Sequence, residues 1–506
     1  MTDYILKLGL EIDQAIDDYK QNQSTINSNK LNGFKLKLEE KIKQQNIKDK
    51  STLYYYLGNI FFEYYKKDRK EKNKKHAIQN FYNSTLIACD DRLLLPRLTN
   101  LGTILWNEHR YYEAIYFYQR ANDIEKRFLL PLGLKVQIFG IILEIFDDRR
   151  DLFLEFHRII LLEINNIKLD FIYPKEEKEQ IGGQKLLKEY KQRWDPYFQK
   201  YYKNYNDRTK LNESIKDSIL IKGEKKLKNK YVLWCRDNFL LLNLMNLNKH
   251  PEMLKDDLMP NSLVMERGDY IMQNFKALVQ EYCHTRYLFY QYKDYEIHKK
   301  NIVHKSEKNN YTKTSPIILS YNKIGDDTIA ITTNYTDENY ILSFEIEQLK
   351  SAYSKLYNIL DKLSVLLISY IKLIDKKEPY LENIRQNSLI KDDKLSLASF
   401  QYILKIDDLK KINPYLYSFC SIYQDIVCDD TFKIKYIRNK ITHGFIKICW
   451  YSDNSSNEDN KTIEANFEKI SLHEFKDKFL FLIKFVRNQF FNTVSCISFI
   501  EKSISS

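Results

Sequence analysis

The chain has 506 residues, with 80 Lys and Arg against 68 Asp and Glu, a formal net charge of +12, and 43% apolar and 29% charged residues. That balance excludes a disordered or collagen-like chain, and the length allows two or more domains with a sizeable core. Only 12 Gly and 9 Pro interrupt it, which points to long helices with few tight turns.

The positive balance favours anionic partners such as nucleic acid. Lys, Ile, Asn and Tyr are all abundant, however, as an AT-rich coding sequence would make them, so charge alone decides little. Seven scattered cysteines, odd in number and without a Cys-x-x-Cys pair, fit reduced thiols and argue against a disulfide framework or a zinc site. Asp3 and Glu11 near the start are unlike a signal peptide, and the apolar run Phe479 to Phe485 is broken by Lys484. The expectation is a cytoplasmic protein with no membrane partner. No phosphate-cradling glycine loop, zinc motif or Ser-His-Asp arrangement stands out, so no cofactor or metal is expected.

Residues 1–170 read as successive amphipathic helices. Leu101 and Gly102 are followed by Ala114, Tyr118 and Ala121. In a helix-turn-helix repeat, small residues at such places let two helices approach, and the aromatic fills the groove between them. A degenerate copy precedes it: Leu57-Gly58, then Ala77, Phe81 and Ser84, with a lysine-rich insertion from Lys66 to Lys75. Leu132-Gly133 reads as the start of a third, less regular unit. These units resemble tetratricopeptide (TPR) repeats, which implies a solenoid that binds a protein or peptide partner. Residues 171–230, with Gly182-Gly183 and a basic run ending at Lys230, read as a charged helical linker.

From 231 to 506 the chain turns apolar and aromatic again. Helical patterns run across 265–295, 346–374, 397–412, 414–428, 430–450 and 471–502, which suits a five- or six-helix bundle. Ser471 and Glu474 make a capping-box pair ahead of the last of these. A polar insertion at 296–344 includes Thr328-Ile-Ala-Ile-Thr-Thr333, which predicts a short strand or hairpin, and Ser452 to Lys461 reads as a polar loop. The predicted fold class is therefore all-α: a helical-repeat solenoid, then a helical bundle with a small β insertion.

The stretch that carries chemistry is Tyr436-Ile-Arg-Asn-Lys-Ile-Thr-His-Gly-Phe445. On a helix, Ile434, Ile437, Ile441, Phe445 and Ile448 make one apolar stripe. Asn439 and His443 lie one turn apart on the same side, and His443 points roughly opposite the stripe, away from its own core. Arg438 sits at the stripe's edge, long enough to reach the same surface. These residue types suit cleavage of RNA. The ribose 2′-OH attacks the adjacent phosphate with proton transfer to an imidazole, and a guanidinium stabilises the phosphorane. Arg69 to His76 and Arg150 to His157 have similar spacing, but they lie in the repeat region and read as ordinary surface charges.

Arg438-Asn439-x-x-x-His443 near the end of a helical domain resembles the signature of the HEPN superfamily. Trp234-Cys-Arg-Asp-Asn-Phe-Leu-Leu-Leu-Asn243, Gln280-Glu-Tyr-Cys-His-Thr-Arg-Tyr-Leu288, Tyr357-Asn-Ile-Leu-Asp-Lys362 and Asn413-Pro-Tyr-Leu416 resemble, in order, a large bacterial HEPN family with TPR repeats upstream. The resemblance covers roughly 231–500. It implies a homodimer in which the Arg/His motifs of two subunits share one composite site. It also implies an RNase of phage defence or toxin systems, with Arg438, Asn439 and His443 catalytic and RNA as partner. Gly444 departs from the pattern, in which a longer side chain commonly follows the histidine.

Three more charged residues, Glu281, Arg286 and Asp361, sit among apolar helical positions. They read either as support for the catalytic surface or as ion pairs that fix helix register. His284 and His298 lack metal-ligand spacing. Two other functional readings stay open. One is a non-catalytic repeat–HEPN scaffold that binds RNA, a nucleotide or a protein. The other is a partner modified by AMP transfer on a tyrosine such as Tyr436.

Overall fold

A computed structural model of the chain describes residues 3–22, 24–44, 47–86, 91–125, 129–145, 185, 188, 189, 192, 225–243, 256, 258, 269–293, 317–324, 327–334, 344–375, 413–428, 432–449 and 467–505. The fold is helical. Seven helices come first: α1 (Asp3–Gln21), α2 (Thr25–Gln44), α3 (Ile47–Asp68), α4 (Glu71–Leu86), α5 (Asp91–Asn107), α6 (Tyr111–Ile124) and α7 (Leu129–Ile145). Six more follow among the described residues: α8 (Lys225–Asp237), α9 (Asp269–Tyr292), α10 (Phe344–Asp375), α11 (Pro414–Tyr423), α12 (Ile434–His443) and α13 (Leu472–Ser505). A π-helical segment, Gln424–Cys428, continues α11. Among the described residues, no helix is long and apolar enough to cross a membrane.

Two small sheets accompany the helices. An antiparallel hairpin, β1 (Ile317–Ile324) and β2 (Asp327–Asn334), stands where the alternating stretch of the insertion predicted one. The second sheet was not expected. β3 (Phe445–Cys449) pairs in parallel with β4 (Phe467–Ser471), Phe445 opposite Phe467 and Cys449 opposite Ser471.

The chain forms two compact units. The first comprises Met1–Leu263, Tyr402–Ile422 and Phe491–Ser506. The helix pairs α3/α4 and α5/α6 are built as the repeat pattern requires. A Cβ on Gly102 would lie 2.6 Å from a ring carbon of Tyr118, and one on Gly58 2.8 Å from the ring of Phe81. Glycine is needed at both places because the aromatic ring occupies the space of a side chain. Ala77, Phe81, Ala114, Tyr118 and Ala121 are all fully buried beneath these contacts. Both pairs turn through a left-handed residue, Arg69 (φ 54°) and His109 (φ 55°). The lysine-rich stretch 66–75 is not a separate loop: it ends α3, makes the turn and begins α4. α7 begins the third unit, and what would be its second helix lies outside the described residues, as do Gly182-Gly183, Arg150 and His157. The linker's last lysines open α8.

A buried charge network ties this unit together. The Lys74 ammonium donates to Glu108 (2.8 Å) and to the Tyr417 hydroxyl (3.0 Å), and lies 2.7 Å from Glu71. Glu108 also accepts from the hydroxyls of Tyr65 and Tyr417, each at 2.6 Å. Burial disfavours the charge on Lys74, but Glu108 and Glu71 outweigh it and hold the ammonium above the usual lysine range. The C-terminal segment belongs to the same unit: Phe491 stacks on Tyr112 at 4.8 Å, and the Ser495 hydroxyl shares a short hydrogen bond with that tyrosine.

The second unit comprises Val264–Gln401 and Tyr423–Phe490. Its core joins α9, α10 and the first half of α13 through aromatic edges. Tyr353 meets Phe475 and Phe479 at 5.5 Å, Phe289 meets Phe479 at 4.8 Å, and Phe490 meets Phe275 at 5.5 Å. Such pairs each contribute about 0.5–1.5 kcal/mol beyond their buried area. α13 starts as its capping pair predicted, with the Glu474 amide donating to Ser471 Oγ at 3.1 Å.

One expected helix is shorter than its pattern. The 430–450 stretch is helical only from Ile434 to His443, because Gly444 turns to extended backbone (φ −138°, ψ −156°) and Phe445–Cys449 enters the sheet. Ile434 and Ile437 are buried as the stripe required, Ile441 is half-buried, and Ile448 is buried from the strand instead. The 397–412 helix, the Ser452–Lys461 loop and His298 lie outside the described residues.

Candidate active site

The second unit presents the Arg-Asn-x3-His motif on α12, a ten-residue helix. Ile434 and Ile437 plug it into the core, and Tyr353 of α10 donates its hydroxyl proton to the Ile434 carbonyl at 3.2 Å. Beyond His443 the chain passes straight into β3, whose pairing with β4 fixes the helix end. The motif therefore sits on a short element held at both ends.

Arg438 is half-buried and held by neutral groups. Its guanidinium donates to Asn439 Oδ1 (3.1 Å) and at the limit of hydrogen-bond range to Asn358 Oδ1 (3.5 Å), and it lies 5.3 Å from the Tyr357 ring centroid. Its Nε–H is buried without a hydrogen-bond partner among the described residues. Among the described residues Arg438 makes no ion pair. A buried unpaired donor costs about 1–3 kcal/mol, and here it leaves a cation with one edge unspent.

The Asp361 carboxylate couples electrostatically to Arg438. It accepts from the Tyr423 hydroxyl at 3.2 Å and feels Arg438 and Lys435, but burial outweighs all three and pushes its pKa above the ordinary aspartate value. The folded state therefore binds this proton more tightly than the unfolded chain. The group's contribution to stability is full below the unfolded aspartate pKa, about 3.9, and is lost as pH rises through the folded pKa. Asp361→Asn keeps the shape and the acceptor for Tyr423. Thermal melts should show the variant gaining on wild type from pH 4 to pH 7; a difference that stays constant or moves in favour of wild type over that range contradicts the assignment.

His443 is exposed at the last turn, as its angular position required, and has no hydrogen-bond or ion-pair partner among the described residues. One chain thus joins Arg438 to Asn439, while the imidazole makes no hydrogen bond to either among the described residues. The other predicted residues divide. Asp361 joins the Arg438 cluster. Glu281 instead pairs with Lys362 at 2.7 Å, fixing α9 against α10, and Arg286 is buried over the Tyr282 ring at 5.2 Å. His284 is exposed. Sequence reasoning did not single out Tyr357, Asn358 and Tyr423 as site residues. The first two stand with Asp361 in the segment Tyr357–Lys362, which itself carried the resemblance. Among the described residues, no group of three or more His, Cys, Asp or Glu could hold a metal ion.

The Arg-Asn-x3-His motif thus stands on a short helix of a helical unit, beside a half-buried polar cluster. Residues 265–499 match the family described as LA2681-like HEPN, so that stretch is a HEPN-type domain, with TPR-like helical repeats ahead of it. No curated protein and no solved structure matches the chain.

Proposed function

We propose that the chain is a metal-independent endoribonuclease acting through Arg438, Asn439 and His443. The observation that carries this reading is the contrast within one motif: a guanidinium whose hydrogen-bond partners among the described residues are all neutral, and an exposed imidazole five residues later. An unneutralised guanidinium attracts a phosphodiester and stabilises charge that builds on phosphorane oxygens. Imidazole changes protonation near neutral pH, so it can take the 2′-OH proton as that oxygen attacks phosphorus. The P–O5′ bond then breaks, and the departing oxygen takes a proton from a second imidazolium. The product ends are a 2′,3′-cyclic phosphate and a 5′-hydroxyl.

The exposure of the imidazole, which makes no hydrogen bond to the guanidinium among the described residues, favours a homodimeric site, in which the partner's His443 supplies the second imidazole. We place the protein in the cytoplasm as a regulated toxin or antiphage effector, with the TPR-like repeats binding a protein or peptide that controls it. Purified protein incubated with mixed RNA in chelator should fragment the RNA and leave DNA of the same sequence intact, because DNA lacks the 2′-OH. RNA that stays whole while bound tightly favours a non-catalytic scaffold instead.

A further inference from the structure

A cavity of about 630 Å³ opens in the first unit between α2, α3 and α4, within the size range of ligand sites. One face of α4 supplies most of its polar lining: Lys72, His76, Asn80 and Asn83, at helical spacings of four, four and three residues. From Lys72 to Asn83 that strip is about 16 Å long, the span of roughly five residues of extended chain. Opposite it, α2 contributes Lys35, whose only carboxylate contact among the described residues is a loose one to Glu39 at 3.9 Å. Lys72 is exposed and makes no ion pair among the described residues.

The lining carries a positive field. His76 stacks on Phe61 with centroids 4.8 Å apart. Burial, then Lys72 and Lys35, push its pKa down, and Glu39 only partly opposes them. The cations are lysines spread along the cavity, without the arginine fork that two-pronged phosphate recognition favours. Asn80 spends one N–H on the His76 carbonyl (2.7 Å) and keeps its second N–H and its oxygen, so each asparagine amide still offers both a donor and an acceptor, the pair that an extended main chain presents in alternation.

We propose that this cavity binds an extended acidic peptide segment, with Asn80 and Asn83 contacting its main chain and Lys35 and Lys72 pairing with its carboxylates. The proposal rests on the partner-binding role given above to the repeats and is independent of the RNA chemistry.

The test is selection of a phage-displayed random decapeptide library on the full chain. The selected peptides are then measured on wild type and on Lys35→Glu/Lys72→Glu, with thermal melts to confirm folding. The expected result is enrichment of Asp and Glu. Affinity should fall at least about tenfold in the variant, as for close charge pairs at interfaces. Peptides with the acids changed to lysine should regain binding to the variant. As a second readout, the acidic peptide should raise the His76 pKa in an NMR titration. Acidic peptides that bind variant and wild type equally overturn the site but leave the partner role standing. Failure to select any peptide overturns the proposal and leaves the partner role to a folded protein. ATP binding that the variant abolishes, with no peptide selected, assigns the cavity to phosphate and overturns the proposal.

Discussion

Replacing His443 with alanine is expected to lower the rate of RNA cleavage by about 10²–10⁴-fold, the usual contribution of a positioned general acid or base. The thermal midpoint should hardly move. The imidazole is exposed and has no partner among the described residues, and substitutions at such places usually change stability by about 0.5 kcal/mol or less. This separation of activity from stability makes the variant informative. Arg438→Ala is the less clean companion, because its guanidinium also lies over Tyr357 and bonds Asn439, so both activity and stability should fall. RNA cleavage at the wild-type rate by folded His443→Ala contradicts the assignment.

The largest effect on stability is expected at Glu108→Ala. This carboxylate is 1% exposed and accepts from Lys74, Tyr65 and Tyr417. Removing it leaves the Lys74 ammonium buried, with the exposed Glu71 as its one remaining counter-charge among the described residues. Losing one partner of a buried ion pair costs about 3–5 kcal/mol, a large share of the stability of an ordinary domain. Chemical denaturation should show that loss. Lys74→Met in the same chain should restore a good part of it, because the unpaired charge is then gone as well. A single variant within about 0.5 kcal/mol of wild type would mean that the network carries no net stability.

Much of this structure was legible because it is local. The glycine–aromatic pairs Gly58/Phe81 and Gly102/Tyr118 announce themselves by spacing, and the Ser471/Glu474 pair marks the start of α13. The exposure of His443 follows from counting residues around a helix that is anchored by Ile434 and Ile437. The strand β3 was hidden by coincidence: Phe445 and Ile448 fit the helical stripe of α12 as well as they fit a strand. Its partner lies some twenty residues on, and parallel pairing over that distance leaves no periodic mark in either segment. The Arg438 cluster was half visible. Asp361 stood out as a charge among apolar neighbours, but the roles of Asn358 and Tyr423 depend on how α10 meets α12 and the end of α11, which spacing along the chain does not encode.

The most direct test of the proposed chemistry is mass spectrometry of the RNA ends left by the purified full-length protein in chelator. Transesterification by imidazole and guanidinium predicts 2′,3′-cyclic phosphate and 5′-hydroxyl ends that disappear in His443→Ala. Fragments bearing 3′-hydroxyl and 5′-phosphate ends, or cyclic phosphates that persist in that variant, would contradict it.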